Sequence, residues 1–163
     1  MDDYTKICTL VFLQRDNEIC LAMKKRGFGA GRWNGAGGKV EPGESIETAM
    51  VRECQEEIGV TPVRYHKIAV HDFRGVKNGE PWGNIGHTYV CDKWEGEPVE
   101  TEEMAPKWFT VEDIPYSDMW PDDKLWLPLV LDGKLLHTKF QFDEQDAIIG
   151  MEITEVDQLA PEA

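Results

Sequence analysis

Residues 45–59 read SIETAMVRECQEEIG, and this stretch dictates both a helix and what that helix must pack against. Ser45 has N-cap chemistry, Glu47 lies in the first turn where the helix dipole favours an anion, and Gly59 stands where a left-handed C-terminal residue belongs. The spacing therefore predicts a helix over 46–58. With Ile46 at zero on a wheel of about 100° per residue, Met50 falls near 40°, Glu53 near 340° and Glu57 near 20°. Glu56 falls near 280°, at the edge of the same face beside Ala49. Two of the three clustered glutamates thus share the face that has to meet a core, whereas a solvated acidic face would point away from it. Glu56 and Glu57 also occupy the last turn, where the dipole prefers cations. Arg52 precedes Glu56 at i, i+4, the weaker orientation for an ion pair, and so does not cure the repulsion. Inward carboxylates that repel by ~0.2–0.5 kcal/mol per pair and oppose the dipole call for a compensating cation. Hard oxygen donors select Mg²⁺, with Mn²⁺ as a substitute. A merely solvated helix end is the plainer alternative.

The glycine-dense segment GFGAGRWNGAGGKVEPGES precedes the helix and reads as loop and turns broken by a short strand near 35–40. It is no Walker A loop, because Gly38-Lys39 lacks a glycine five residues before Gly38 and is followed by Val40. No G-x-G-x-x-G occurs in it either. Gly35, Gly37 and Gly38 permit close backbone approach to a ligand or metal, or simply make a tight bend.

Elsewhere, 7–14 and 18–25 read as a hairpin around Arg15, Asp16 and Asn17. VRYHKIAVHDF and IGHTYVCDKW read as strands around a Gly/Asn/Pro-rich connection, and KWFTVEDI as another short strand. A second helix starts at Asp122 in PDDKLWLPLVL, with Pro128 expected to kink or shorten it, and KLLHTKFQF and AIIGMEITEV read as closing strands. Strands interrupted by two helices imply an α/β domain over 1–156, a mixed sheet with helices against it, and a tail at 157–163.

The formal charge of -14 disfavours a surface that grips duplex nucleic acid. Cys8, Cys20, Cys54 and Cys91 lack C-x-x-C spacing and lie in apolar stretches, as buried reduced thiols do. With no apolar run near the ~20 residues of a membrane span, the expected setting is soluble and cytoplasmic, and nothing demands more than a monomer. His66, His71, His87 and His137 have no ligand spacing and read as structural or surface residues.

Read as one string, Gly38, five residues, Glu44, seven residues and then RECQEEIGV resembles the Nudix box, with Cys54 the one soft departure from an aliphatic position. The resemblance implies a Nudix fold, a curved mixed sheet between two helices. It also implies magnesium-dependent hydrolysis of a nucleoside diphosphate linked to another group. It makes Glu53, Glu56 and Glu57 metal ligands, Arg52 their orienting partner, and the Gly37 and Gly38 backbone part of the site, with Glu53 or Glu56 the candidate base. MKKRGFGAGRWNGAGGKVEPGE, EEMAPKWF and DMWPDD are further similar to the animal-type MutT homologues. That implies hydrolysis of 8-oxo-dGTP, and of 2-hydroxy-dATP, to monophosphate and pyrophosphate.

By the same resemblance, Asn34, Trp120, Asp122 and Asp123 recognise the base, Thr9, Lys24 and Phe28 line the pocket, and Glu103 is an outlying metal ligand. Their chemistry suits these roles: an indole stacks on a purine, an amide both donates and accepts, and paired carboxyls resist ionising together. Each has a plainer reading as well. Asp122 after Trp120-Pro121 suits an N-cap, Trp120 suits a core, and Glu103 belongs to the acidic run EGEPVETEE. Lys24, Lys25 and Arg26 read either as a strand end or as a basic patch beside phosphates. Residues 70–90 depart from the subfamily, and there Phe73 and Trp82 either rebuild the pocket wall or admit other purines, methylated ones included. Two alternatives stay open: a Nudix hydrolase of another nucleotide derivative, and a non-catalytic binding module.

Overall fold

The computed structural model describes residues 2–159. In chain order it contains β1 (Thr5–Arg15), β2 (Glu18–Lys24), β3 (Trp33–Asn34), α1 (Ile46–Ile58), β4 (Thr61–Lys77), β5 (Glu80–Glu95), β6 (Met104–Thr110), α2 (Asp123–Leu131), β7 (Leu135–Phe142) and β8 (Ile148–Val156). The strands pair in the order β3-β2-β1-β5-β4-β7-β8, with β6 added on β2. The β1–β5 and β4–β7 pairs are parallel and the other pairs antiparallel, so the sheet is mixed as expected.

Alternation along β1, β2 and β5 divides the core in two. Phe12, Ile19, Leu21 and Val90 pack with Trp126, Leu127 and Val130 of α2. Their chain neighbours Val11, Leu13, Cys20, Ala22, Tyr89 and Cys91 pack with Met50, Cys54 and Ile58 of α1. Because successive strand side chains point to opposite faces, the two helices cover opposite sides of the sheet. Trp126 is fully buried against Phe12, and its truncation to alanine should cost about 3–5 kcal/mol.

α1 ends where the sequence places its ends. The Ser45 side chain accepts from Thr48 N–H at 3.1 Å, and Gly59 has φ 74° with its N–H on Gln55 O at 3.0 Å. Three other expectations need correction. Regular pairing in the glycine segment falls on Trp33–Asn34, while 35–40 keeps only isolated bridges from Ala36 to Val11 and from Lys39 to Cys8. Glycines there supply no side chains to hold a strand. The Gly/Asn/Pro-rich connection is itself strand, since β4 and β5 run on to a two-residue Asn78-Gly79 turn with φ 54° and 76°. Asn-Gly is the sequence of a type I′ hairpin turn, so this signal was present in the chain. Finally, α2 continues three residues past Pro128 to Leu131, since a proline removes a single N–H from the ladder of this nine-residue helix.

Register shifts at Pro62/Arg64, Arg64/Tyr65 and Lys67/Ala69 bend β4, as bulges do. All four cysteines are free, but Cys8 is only half-buried, unlike the other three. Residues 157–159 are in neither helix nor strand, and the rest of the expected tail, 160–163, lies outside the described residues. Among the described residues no helix is long and apolar enough to cross a membrane.

Candidate active site

The segment before α1 runs directly along β1. Thr9 N–H donates to Gly38 O at 2.8 Å, Val11 N–H to Ala36 O at 2.7 Å, and Val40 N–H to Ile7 O at 2.9 Å. Only glycine fits this approach: a Cβ at Gly37 would lie 1.9 Å from Thr9 O, and one at Gly38 would lie 2.5 Å from the Glu53 carboxyl carbon. Backbone contact with β1 therefore holds the loop against the acidic face of α1.

Arg52 organises the carboxylates more than the sequence suggests. Its Nε and Nη2 clamp Glu44 at 2.6 and 2.9 Å, and Nη2 also donates to Lys39 O at 3.1 Å. Its Nη1 donates to Glu53 at 2.9 Å and to Glu56 at 3.1 Å, so the expectation that Arg52 leaves the cluster unrelieved is corrected. A planar fork with five donors serves several acceptors even in the weaker helical orientation. Glu44, given no role from the sequence, is held down at about 2 by the Arg52 hydrogen bonds and by Glu41 N–H.

Glu57 stands apart from this network. Its Oε2 is buried and has no hydrogen-bond partner. Burial first, and the Glu53 charge second, push its carboxyl up to about 8, against the pull of Lys24 and of the Gly37 N–H. Glu56 is 59% exposed along its side chain. Glu103 is held by Arg26, with Nε 2.9 Å from Oε1, yet its charge still adds to the upward push on Glu57. Lys25 pairs with Glu100, so of the three basic residues only Lys24 faces the cavity. Among the described residues no three acidic, His or Cys groups converge as a ready cation cage. The orphaned Glu57 oxygen, the adjacent Glu53 and a donor set made only of oxygens nevertheless fit a hard divalent cation.

From Glu57 a cavity of about 200 Å³ extends to an aromatic wall. It gathers Thr9, Lys24, Phe28, Asn34, Gly37, Gly38, Trp120, Asp122 and Asp123, all of them singled out in the sequence, from four separate segments. Arg52, Glu53, Glu56 and Glu103 are not among its lining residues. The Thr9 hydroxyl lies 3.5 Å from Gly38 O, and Asn34 Oδ1 accepts from Gly35 N–H at 2.9 Å. Trp120 packs against Phe28 and Phe142 with ring centroids 5.2 and 5.7 Å apart.

Asp122 and Asp123 are 2% and 3% exposed, which decides against ordinary capping. Asp122 makes no side-chain cap bond and instead accepts from Trp126 Nε1 at 2.7 Å. Burial raises both carboxyls, Asp123 well above its usual range because the Asp122 charge adds to the push. Asp123 Oδ2 has no hydrogen-bond partner. The pair therefore holds on to a proton that an isolated exposed carboxyl would release.

Several lining residues escape sequence reasoning. Arg32 lies over the Trp120 ring, 4.1 Å from its centroid, and pairs with Asp146 at 3.1 Å. Trp126 carries a weak signal, its i+4 spacing from Asp122, and Phe142 carries only strand alternation. Phe73, Trp82, Asn84 and Thr88 reach the cavity from β4 and β5, so the divergent 70–90 segment is a wall of it. His71 is structural as expected: it is fully buried, bonded to Thr138 Oγ1 at 2.6 Å and driven down to about 3 by burial.

Comparisons with known proteins identify the family and the fold. The NUDIX domain family matches residues 5–130. The chain is 45% identical over 155 residues to the oxidized purine nucleoside triphosphate hydrolase of Danio rerio, spanning 95% of this chain and 98% of that protein. It is 44% identical over 153 residues to the protein of the same name from Mus musculus, spanning 94% and 97%. The crystal structure of a mutator MutT protein from Bacillus halodurans shares the fold, with a TM-score of 0.81 at 23% identity over 91% of this chain and 97% of that one. With Glu57 of α1 lining a cavity walled by the mixed sheet, this chain belongs to the Nudix hydrolase family.

Proposed function

We propose that the protein hydrolyses oxidised purine nucleoside triphosphates, 8-oxo-dGTP foremost and 2-hydroxy-dATP second, to the monophosphate and pyrophosphate, with Mg²⁺ as its cation. The observation that carries this reading is the buried, proton-sharing Asp122–Asp123 pair opening into the same cavity as Glu57. A site with one donor and one acceptor carboxyl matches a purine edge whose pattern oxidation has altered, and moving the shared proton accommodates a second pattern. The identity to proteins named as oxidized purine nucleoside triphosphate hydrolases supports the same substrate class.

Residue roles follow from position. Trp120 and Phe28 offer ring faces to the base, and Asn34 offers an amide to its edge. Lys24 and the Thr9–Gly38 backbone pair line the same cavity as Glu57 and would face the phosphates. Glu53, Glu56 and Glu57, with the Gly37 and Gly38 backbone and Glu103 further out, would hold the cation. When bound, Mg²⁺ supplies charge neutralisation at the bridging phosphate oxygens and a lowered pKa for the attacking water. Arg52 fixes Glu53 and Glu56 in place, and one of these two takes the water proton.

The decisive experiment is a kinetic panel of oxidised, methylated and canonical purine triphosphates with Mg²⁺, with products identified. Preference for 8-oxo-dGTP and release of pyrophosphate are expected. Stronger turnover of canonical GTP or of ADP-ribose would overturn the substrate, and nucleotide binding without turnover would overturn the enzyme.

A further inference from the structure

We propose that Trp82, seated on Gly75, contacts the base and sets which purines the cavity accepts. This rests on the cavity being the nucleotide site. The β4–β5 register places Gly75 directly opposite Trp82. A Cβ at Gly75 would lie 2.5 Å from the indole Nε1 and Cε2 and 2.6 Å from Cζ2, so no other residue leaves the ring where it is. Gly75 makes no left-handed turn; its contribution is room for the indole.

Seated there, the indole becomes part of an aromatic box. It meets Phe28 edge-on at 5.1 Å and stacks on Phe142 at 5.8 Å with 19° between planes, and it lies 6.2 Å from Trp120. Phe28 and Trp120 are the ring faces assigned to the base, so Trp82 closes the same compartment from the hairpin side. The indole Nε1 is buried and has no acceptor, although a buried Trp N–H ordinarily finds one. Thr88 Oγ1 on the same wall is also buried without a partner. These unpaired groups fit a purine that carries an added carbonyl acceptor on its edge, the change that oxidation of a ring carbon introduces. Asp122 and Asp123 read one edge of the base from α2, and Trp82 reads it from β5.

The test compares wild type, Trp82→Phe and Gly75→Ala on 8-oxo-dGTP and dGTP with Mg²⁺, with thermal melts as a folding control. Trp82→Phe keeps a ring but removes the N–H, and Gly75→Ala keeps the indole but displaces it. Each should raise KM for 8-oxo-dGTP about tenfold and compress the 8-oxo-dGTP/dGTP ratio of kcat/KM to match, with a much smaller change in kcat. If Gly75→Ala fails to fold, Trp82→Phe alone decides. A Trp82→Phe enzyme whose KM and ratio stay within about twofold of wild type overturns the proposal. A wild type with no preference for 8-oxo-dGTP sinks the substrate reading instead, and the Trp82 proposal then survives only if Trp82→Phe raises KM for the purine that is used.

Discussion

The two ends of the candidate site are built in opposite ways. At the carboxylate end, Gly37, Gly38, Glu44, Arg52, Glu53, Glu56 and Glu57 come from one loop and the helix after it. At the base end, Phe28, Asn34, Trp82, Trp120, Asp122 and Phe142 come from both halves of the chain and meet only because the sheet order brings them together. The first end is a local device whose geometry follows from spacing. The second is a product of topology, free to vary wherever a strand or loop touches it. A reaction can thus stay fixed while the substrate changes, a division that mutations at each end can break.

The largest effect belongs to the local end. Glu57→Gln or Glu53→Gln should lower kcat by about 10²–10⁴-fold with little change in nucleotide affinity, and chelating the cation should abolish turnover. Pyrophosphate release alongside nucleotide titration measures both quantities. If either variant weakens binding as much as turnover, the two ends are not separable. Gly38→Ala tests the same end without touching a carboxylate. A Cβ 2.5 Å from the Glu53 carboxyl carbon must displace it, and a misplacement of this kind should cost about 10²-fold in kcat.

The same division decides what the sequence reveals. The inward face of Glu53 and Glu57 is visible on a helical wheel, and the caps at Ser45 and Gly59 are visible by residue type. The Arg52–Glu44 clamp is not, because it spans a loop whose path depends on backbone bonds to β1. Nor does composition expose the role of Asp122, whose position suits a cap and whose carboxylate accepts from Trp126 where both are buried in the cavity wall. Arg32 over Trp120 and the Gly75–Trp82 pairing depend on loop path and strand register, neither of which a single sequence fixes.

At the distributed end the effects should be smaller and appear in KM. Asp122→Ala leaves the buried Trp126 N–H without its acceptor and removes a carboxyl proposed to read the base. KM for 8-oxo-dGTP should rise about 10–100-fold while saturating turnover falls far less. Steady-state kinetics at fixed Mg²⁺ makes the separation visible, and a loss mainly in kcat would tie the base end to the chemistry.

The mildest effect, and the one that most directly probes the shared proton, is on pH. Asp122 and Asp123 are raised above their ordinary range, so the fold binds protons more tightly than the unfolded chain does at this pair. Their contribution to stability is complete below the ordinary 3.8 and declines as pH rises through the raised values. His71 acts in the opposite sense. Burial lowers it from 6.5 to about 3, so its neutral form is fully favourable above 6.5 and becomes a liability as pH falls toward 3. Each group can contribute a slope of up to about 1.4 kcal/mol per pH unit. The expected melting profile is therefore a compromise between the two, with Asp123→Asn flattening its alkaline limb and His71→Gln its acid limb. Base recognition should follow only the aspartate limb. KM should rise with pH in the wild type as the donor proton is lost, and in Asp123→Asn, whose amide donates at every pH, that rise should disappear. An Asp123→Asn enzyme that keeps the wild-type pH dependence of KM would place the titrating group elsewhere, at the glutamates or the nucleotide, and the base end would then have no proton of its own to offer.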